Sequence, residues 1–272
     1  MAVPGGRAAV IRSRDNPRYR GWLKLAVQVR ERRRTGLTLL DGIHLLQALA
    51  ESGGQPEALI LRDDDRDSRE IAALLIRFPQ VPCYRLSHAL FDALVPSDHP
   101  VGIAALYRTP EPPAAAPGAA ALLLEDIQDP GNLGAILRTA AAADVRSIYL
   151  SAGCADVWSP KTLRAGMGAH FELHLTERAN LLALLSAGQR SLALQPEAVA
   201  SLYDQDLTGA VAFVLGNEGA GLSQALAAAA SLPVSIPMPG SAESLNVAAA
   251  AAICLFERVR QRRNMWYADT RP

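Results

Sequence analysis

The chain has 272 residues, half of them hydrophobic, and its 27 lysines and arginines are balanced by 27 aspartates and glutamates. That length suits one large or two ordinary domains. No run of about twenty apolar residues occurs, which argues against a membrane span, and the arginine-rich N-terminus has too short an apolar stretch for a secretory signal. Cys83, Cys154 and Cys254 are scattered, match no metal or CxxC spacing, and read as small core residues of a protein kept in a reducing cytoplasm.

The zero net charge conceals an uneven distribution. Residues 1–36 hold Arg7, Arg12, Arg14, Arg18, Arg20, Lys24, Arg30, Arg32, Arg33 and Arg34 against only Asp15 and Glu31, so the remainder of the chain is acidic. Apart from Lys24 and Lys161, all the positive charge is guanidinium, which suits bidentate phosphate contacts and base stacking. The block fits a nucleic-acid surface, and it fits equally an ordinary solvated helix face.

In chain order, Pro17 to Arg34 reads as one helix, "LTLLDG" as a short strand and Ile43 to Glu51 as a helix. "EALILRD" reads as a strand, Ser68 to Phe78 as a helix, and "CYRLS" and "VGIAALYR" as strands. This is an α/β unit of ordinary domain size, spanning 1–108. "TPEPPAAAPGAAA", over 109–121, has no periodicity and reads as a linker.

Over 122–272 the alternation resumes, with strands "ALLLEDI", "SIYLS", "LALQ", "AVAFVLG" and "LPVSIPM". The helices between them are expected at Leu133–Ala143, Arg178–Ser186 and Leu222–Ala230, with a last one at Val247–Arg263. Continuous apolar strands predict a parallel sheet covered on both faces, where ligands bind at the carboxyl ends of the strands.

Three loops at such ends carry unusual chemistry. In "EDIQDPGNLGAILRTA", Pro130-Gly131 signals a turn and Asn132 an N-cap, while Arg138 stands among Ala135, Ala140 and Ala141. In "FVLGNEGAGLS", Gly216, Gly219 and Gly221 surround Asn217 and Glu218. A plain turn needs fewer glycines, and the spacing fits neither a dinucleotide fingerprint nor a P-loop. In "SIPMPGSAESLNVAAAAAICLFE", Pro237 and Pro239 keep the backbone out of a regular strand, Ser244 and Asn246 stand where a helix starts, and Ala248 to Ala252 make that helix thin.

Taken in order, these three stretches resemble the motifs of the SpoU/TrmH family of RNA ribose 2′-O-methyltransferases. "SRDNPRYRGWLKL…RERRRTGLTLLDGIHLLQAL" is similar to the ribosomal-protein-like substrate-binding domain that many members carry. The resemblance implies a C-terminal SPOUT domain with a parallel sheet and a deep trefoil knot, preceded by a smaller α/β substrate-binding domain. It further implies S-adenosylmethionine as cofactor and a homodimer through the knot domains. Leu215, Gly216, Ile236, Met238 and Leu245 would bind the cofactor. Asn132, Arg138, Glu218, Ser244 and Asn246 match the family's polar catalytic positions, Arg138 being the one assigned to activating the ribose hydroxyl. A guanidinium is a poor free base, so Arg138 acts either as a base in an altered environment or by holding phosphate and the developing alkoxide.

In "SPKTLRAGMGAHFEL", Arg164 and Gly168 fit the family, whereas Gly166 stands where serine is usual. "AHFELHL" alternates as a strand does, so His170 and His174 have no helical pairing and no third ligand; no metal site is expected. The arginine-rich first domain favours ribosomal RNA over tRNA, with 23S ribosomal RNA the expected substrate; an rRNA enzyme that confers antibiotic resistance is a rival within the class. A tRNA ribose methyltransferase and a non-catalytic RNA-binding relative are the alternatives.

Overall fold

The computed structural model describes residues 10–63, 68–95, 100–111 and 118–269, excepting the side chains of 264–269. The chain groups into two units, Met1–Glu111 with Trp158–Phe171, and Pro112–Val157 with Glu172–Pro272. Arg7 of the basic block and the middle of the expected linker, 112–117, lie outside the described residues.

The first unit contains β1 (Val10–Ile11), α1 (Pro17–Val27), α2 (Val29–Thr35), β2 (Leu37–Asp41), α3 (Ile43–Glu51), β3 (Ala58–Arg62), α4 (Arg69–Arg77), β4 (Cys83–Leu86), α5 (His88–Leu94) and β5 (Ile103–Arg108). Its sheet runs β1-β4-β3-β5-β2, with β5 antiparallel to both β3 and β2 and the other pairs parallel. Tyr19, Trp22 and Leu25 on one face of α1 pack with Leu39, Ile60, Phe91 and Leu94 to form the core. Truncating one such leucine to alanine costs about 2–5 kcal/mol.

The expected single helix over Pro17–Arg34 is broken. Gln28 is extended at φ −114° and ψ 110°, ending α1 and starting α2. The break is held by Arg32, which is buried and donates from Nη1 to the carbonyl of Leu25 at 2.5 Å, satisfying an acceptor that the helix end leaves open. One arginine of the basic block is therefore a structural cap. Up to Glu111, two elements went unanticipated: β1 is two residues long, and α5 spans too few residues for its period to register.

The second unit's elements begin with β6 (Ala121–Leu124), α6 (Pro130–Ala142) and β7 (Ser147–Leu150). After α7 (Pro160–Gly166), which groups with the first unit, the second unit continues through β8 (His174–Thr176), α8 (Leu181–Ser186), β9 (Ser191–Leu194), β10 (Ala212–Leu215), α9 (Gln224–Ala229), β11 (Leu232–Val234) and α10 (Val247–Asp269). The sheet order is β11-β9-β10-β6-β7-β8 and every pair is parallel. The central strands β6 and β10 are buried throughout, as their unbroken apolar sequences require. α10 packs against α6 and β10, with Ala250, Ala251 and Cys254 buried. Burial pushes the Cys254 thiol well up.

α7 and its flanks, Trp158–Phe171, group with the first unit. The Thr38 hydroxyl donates to the Trp158 carbonyl at 2.6 Å, and Arg164 Nη1 lies 3.5 Å from the Asp41 carboxylate. Burial raises the Asp41 pKa and the Arg164 charge opposes the rise. A side chain at Gly168, whose φ is +91°, would collide with Ala48. α7 itself was not anticipated, and the alternation of "AHFELHL" misleads: Ala169–Phe171 forms a 3₁₀ turn and only His174–Thr176 is a strand. His170 is buried against the Trp158 ring, and His174 is exposed.

Candidate active site

Parallel strands β9, β10 and β11 all end at the same edge of their sheet, which brings their following loops together. There they enclose a cavity of about 560 Å³, within the ~300–1,000 Å³ usual for small-molecule sites. Leu194–Glu197 line it from the loop after β9, Leu215–Leu222 from the loop after β10, and Ile236, Met238 and Glu243–Leu245 from the stretch after β11. Val247 and Ala250 contribute from the start of α10.

The glycines after β10 have distinct roles. A Cβ at Gly216 would collide with the backbone of Gly221 and Leu222, because Asn217 and Gly221 exchange backbone hydrogen bonds of 3.0 and 2.9 Å across the loop. Gly221 has φ +68°, a region that suits glycine. Gly219 meets neither constraint; a side chain there would touch Asn217 only at ordinary contact distance. Asn217 closes the turn by accepting at Oδ1 from the Gly219 and Ala220 amides at 2.9 and 3.0 Å.

After β11 the backbone leaves the sheet. Ser235 still bridges to Ser201, but none of Ile236–Gly240 is in a strand, which frees the proline-bounded segment to turn Ile236 and Met238 into the cavity. Asn246 then accepts at Oδ1 from the Ala248 and Ala249 amides, at 2.9 and 3.3 Å, satisfying donors that would otherwise be orphaned at the start of α10.

The five residues expected to hold a cofactor, Leu215, Gly216, Ile236, Met238 and Leu245, all line the cavity, as do Glu218 and Ser244. Asn132 and Asn246 stand behind it. Asn246 Nδ2 donates to Asn132 Oδ1 at 3.0 Å, and Asn132 Nδ2 donates to Glu218 Oε1 at 2.8 Å. One side chain from each of the three sequence stretches thus joins a single chain of hydrogen bonds. Asn132 is not the cap it was expected to be: the Asp129 carboxylate caps α6, accepting from the Asn132 amide at 2.7 Å, because Pro130 occupies the first helical position. That leaves the Asn132 side chain available to Glu218 and Asn246. Arg138 lies further along α6, exposed.

Sequence reasoning missed the loop after β9, where Gln195, Pro196 and Glu197 line the cavity; no unusual spacing marks it. With Glu218 and Glu243, Glu197 makes three carboxylates, and among the described residues no arginine, lysine or histidine lines the cavity. Such a wall favours a cationic ligand. In the first unit, Arg14, Arg18, Arg20, Lys24 and Arg30 are exposed. The Arg18 guanidinium sits 5.0 Å from the Tyr84 ring centroid, and Tyr84 lies 5.4 Å from Trp22. Arg34 is held by Glu31 at 2.6 Å.

A parallel α/β sheet whose strand-end loops form a glycine-bounded cavity, backed by a chain of amides ending on a carboxylate, defines a small-molecule-binding enzyme domain. The SpoU rRNA Methylase family matches residues 119–256, and the MRM3-like substrate binding domain matches 16–105. The chain belongs to the SpoU rRNA Methylase family. It is 34% identical over 250 residues to the 23S rRNA (guanosine(2553)-2′-O)-methyltransferase RlmP of Bacillus subtilis, covering 90% of this chain and 97% of that one. The solved structure of the SpoU methyltransferase AviRb from Streptomyces viridochromogenes in complex with the cofactor AdoMet superposes with a TM-score of 0.79 at 28% identity, over 92% of this chain and all of that one. A structure concerned with 2-OH methylation of C/U34 on tRNA matches at 31% identity and TM-score 0.50, over 55% of this chain and 99% of that one.

Proposed function

We infer that the protein is an S-adenosylmethionine-dependent RNA ribose 2′-O-methyltransferase acting on 23S ribosomal RNA. The observation that carries this reading is the cavity between the three strand-end loops, backed by the Asn246–Asn132–Glu218 chain. Leu215, Ile236, Met238 and Leu245 supply an apolar wall suited to an adenine ring. Gly216 permits close backbone approach, and three carboxylates suit a ligand carrying a sulfonium and an ammonium.

S-adenosylmethionine supplies an electrophilic methyl group on a positively charged sulfur. The protein's part is mostly positioning, since in-line displacement depends on holding the ribose 2′-oxygen near the methyl carbon. Asn246, fixed by its helix cap, orients the Asn132 amide, and Asn132 in turn directs its Nδ2–H at Glu218. Glu218 and Ser244, both at the cavity wall, face the incoming ribose. Arg138, exposed on α6, binds RNA phosphate and stabilises the developing alkoxide.

Ribosomal rather than transfer RNA is favoured by the extent of the likenesses. The 23S rRNA enzyme of B. subtilis aligns with nearly the whole chain, whereas the tRNA-related structure aligns with about half of it. The domain boundaries we assign are 1–108, 109–121 and 122–272. A trefoil knot is the expectation that the likeness to the SpoU rRNA Methylase family over 119–256 supports. A homodimer through this domain rests on the same family likeness. No helix among the described residues is long and apolar enough to cross a membrane, and a cytoplasmic location fits the ribosomal substrate. Incubating the protein with methyl-labelled S-adenosylmethionine and total RNA tests the reading: label in large ribosomal RNA supports it, label confined to tRNA redirects it, and no label in any RNA refutes it.

A further inference from the structure

Asp126 lies two residues beyond the end of β6, and it has φ +53°, a left-handed conformation that few residues with a side chain adopt. Three contacts maintain it. Its amide donates to Ser151 Oγ at 2.9 Å, and the same hydroxyl donates back to the Asp126 carboxylate at 2.5 Å. Gly153 makes room for that carboxylate, since a Cβ at 153 would collide with it. Ser151 follows β7 directly, so the neighbouring parallel strand clamps the turn.

The clamped turn aims one group at the site. The Asp126 carbonyl accepts from Asn217 Nδ2 at 2.9 Å, while Asn217 Oδ1 holds the Gly219 and Ala220 amides. Both ends of the Asn217 amide are thereby assigned, and the cavity wall from Asn217 to Ala220 hangs on it. Asp126, Ser151 and Gly153 do not themselves line the cavity. Beside them, Glu125 Oε2 accepts from the Ser223 amide at 2.7 Å, tying down the far end of the same loop.

We propose that Asp126 is a positioning residue for cofactor binding: its left-handed backbone, clamped by Ser151, presents the carbonyl that fixes Asn217 and with it the glycine-rich wall of the cavity. This rests on the reading of the cavity as the S-adenosylmethionine site. It assigns the role to the backbone conformation of residue 126, not to the carboxylate's charge.

The assignment predicts an unusual order among substitutions. Glycine and asparagine tolerate positive φ, so Asp126→Gly and Asp126→Asn retain the carbonyl's direction. Alanine does not tolerate it well, and a strain of about 1–2 kcal/mol corresponds to roughly a tenfold loss of affinity. Calorimetric titration of the full-length protein with S-adenosylmethionine should give Kd values within about threefold of wild type for Asp126→Gly and Asp126→Asn. For Asp126→Ala and Asn217→Ala they should be roughly tenfold weaker, at a temperature where circular dichroism shows all variants folded. In steady state the alanine variants should raise KM for the cofactor while changing kcat little. Equal loss in all three Asp126 variants, or kcat lost in Asp126→Asn at unchanged Kd, would show that the carboxylate itself acts and would overturn the proposal. Absence of cofactor binding by the wild type would instead refute the cavity assignment on which it stands.

Discussion

Asn132 donates from Nδ2 to Glu218 Oε1 across 2.8 Å, joining residues 86 positions apart. The bond fixes the Asn132 amide, because its oxygen is already committed to Asn246. A carboxylate in place of that amide would face Glu218 with like charge. Asn132→Asp should therefore reduce methylation more than Asn132→Ala does, although aspartate is the closer in shape. A hydrogen bond to a charged group contributes about 1.5–3 kcal/mol, and this exposed one belongs at or below the lower end. Single-turnover rates for the two variants check the order; a more active Asn132→Asp would contradict it.

Gly216→Ala should abolish detectable S-adenosylmethionine binding. Its Cβ would enter the backbone of Gly221 and Leu222, and backbone cannot rotate away as a side chain can. The loop must open, and the Asn217–Gly221 bridge goes with it. Gly209→Ala is the control, since a side chain there would meet nothing within 4 Å and the residue does not line the cavity; it should bind the cofactor nearly as wild type does. Equilibrium dialysis with labelled cofactor distinguishes the two.

Arg138→Ala should eliminate methyl transfer while leaving cofactor affinity near wild type. The residue is exposed on α6 and does not line the cavity. Substitutions at such surface positions usually change stability by no more than about 0.5 kcal/mol. Melting temperature and cofactor Kd, both unchanged beside a lost rate, are the expected result.

The acid limb of stability should depend on Glu257. Its carboxylate accepts from Arg260 Nε and Nη2 at 2.8 and 2.7 Å and from Gln261 at 2.8 Å, and the hydrogen bond from Arg260 is the main reason its pKa lies below the ordinary 4.5. A folded-state pKa below the unfolded one gives stability that is complete above the unfolded value and lost as pH falls through the folded value. Gln261 also holds the Leu207 amide and the Gln205 carbonyl of the β9–β10 connection. Chemical denaturation from pH 7 downward should show a shallower decline in Glu257→Gln than in wild type below the unfolded carboxylate's pKa. Parallel declines would contradict the assignment.

Much of the site was legible because backbone geometry demands particular residue types there. Gly216 and Gly221 answer to a close approach and a positive φ, and Pro237 and Pro239 to a segment that must leave the sheet. The unbroken apolar strands announced the parallel sheet. What stayed hidden depends on partners distant in sequence. Asp129 and Asn132 are both good caps by type, and only the proline between them decides which one caps α6. Gln28 breaks a helix that its neighbours would continue, because Arg32 folds back on Leu25. Asp126 looks like any acidic turn residue until Ser151 and Asn217 are seen on either side of it. Gln195 and Glu197 reach the cavity through sheet order alone, since β9 lies beside β10.

Ribose methylation of 23S ribosomal RNA would run through this cavity and Arg138. Its most direct test is mapping 2′-O-methylation along ribosomal RNA from cells lacking the gene, complemented with either the wild-type protein or Arg138→Ala. One 23S ribose methylation should disappear with the gene, return with the wild type, and stay absent with Arg138→Ala. An unchanged 23S methylation map in cells lacking the gene, or full restoration by Arg138→Ala, would contradict it.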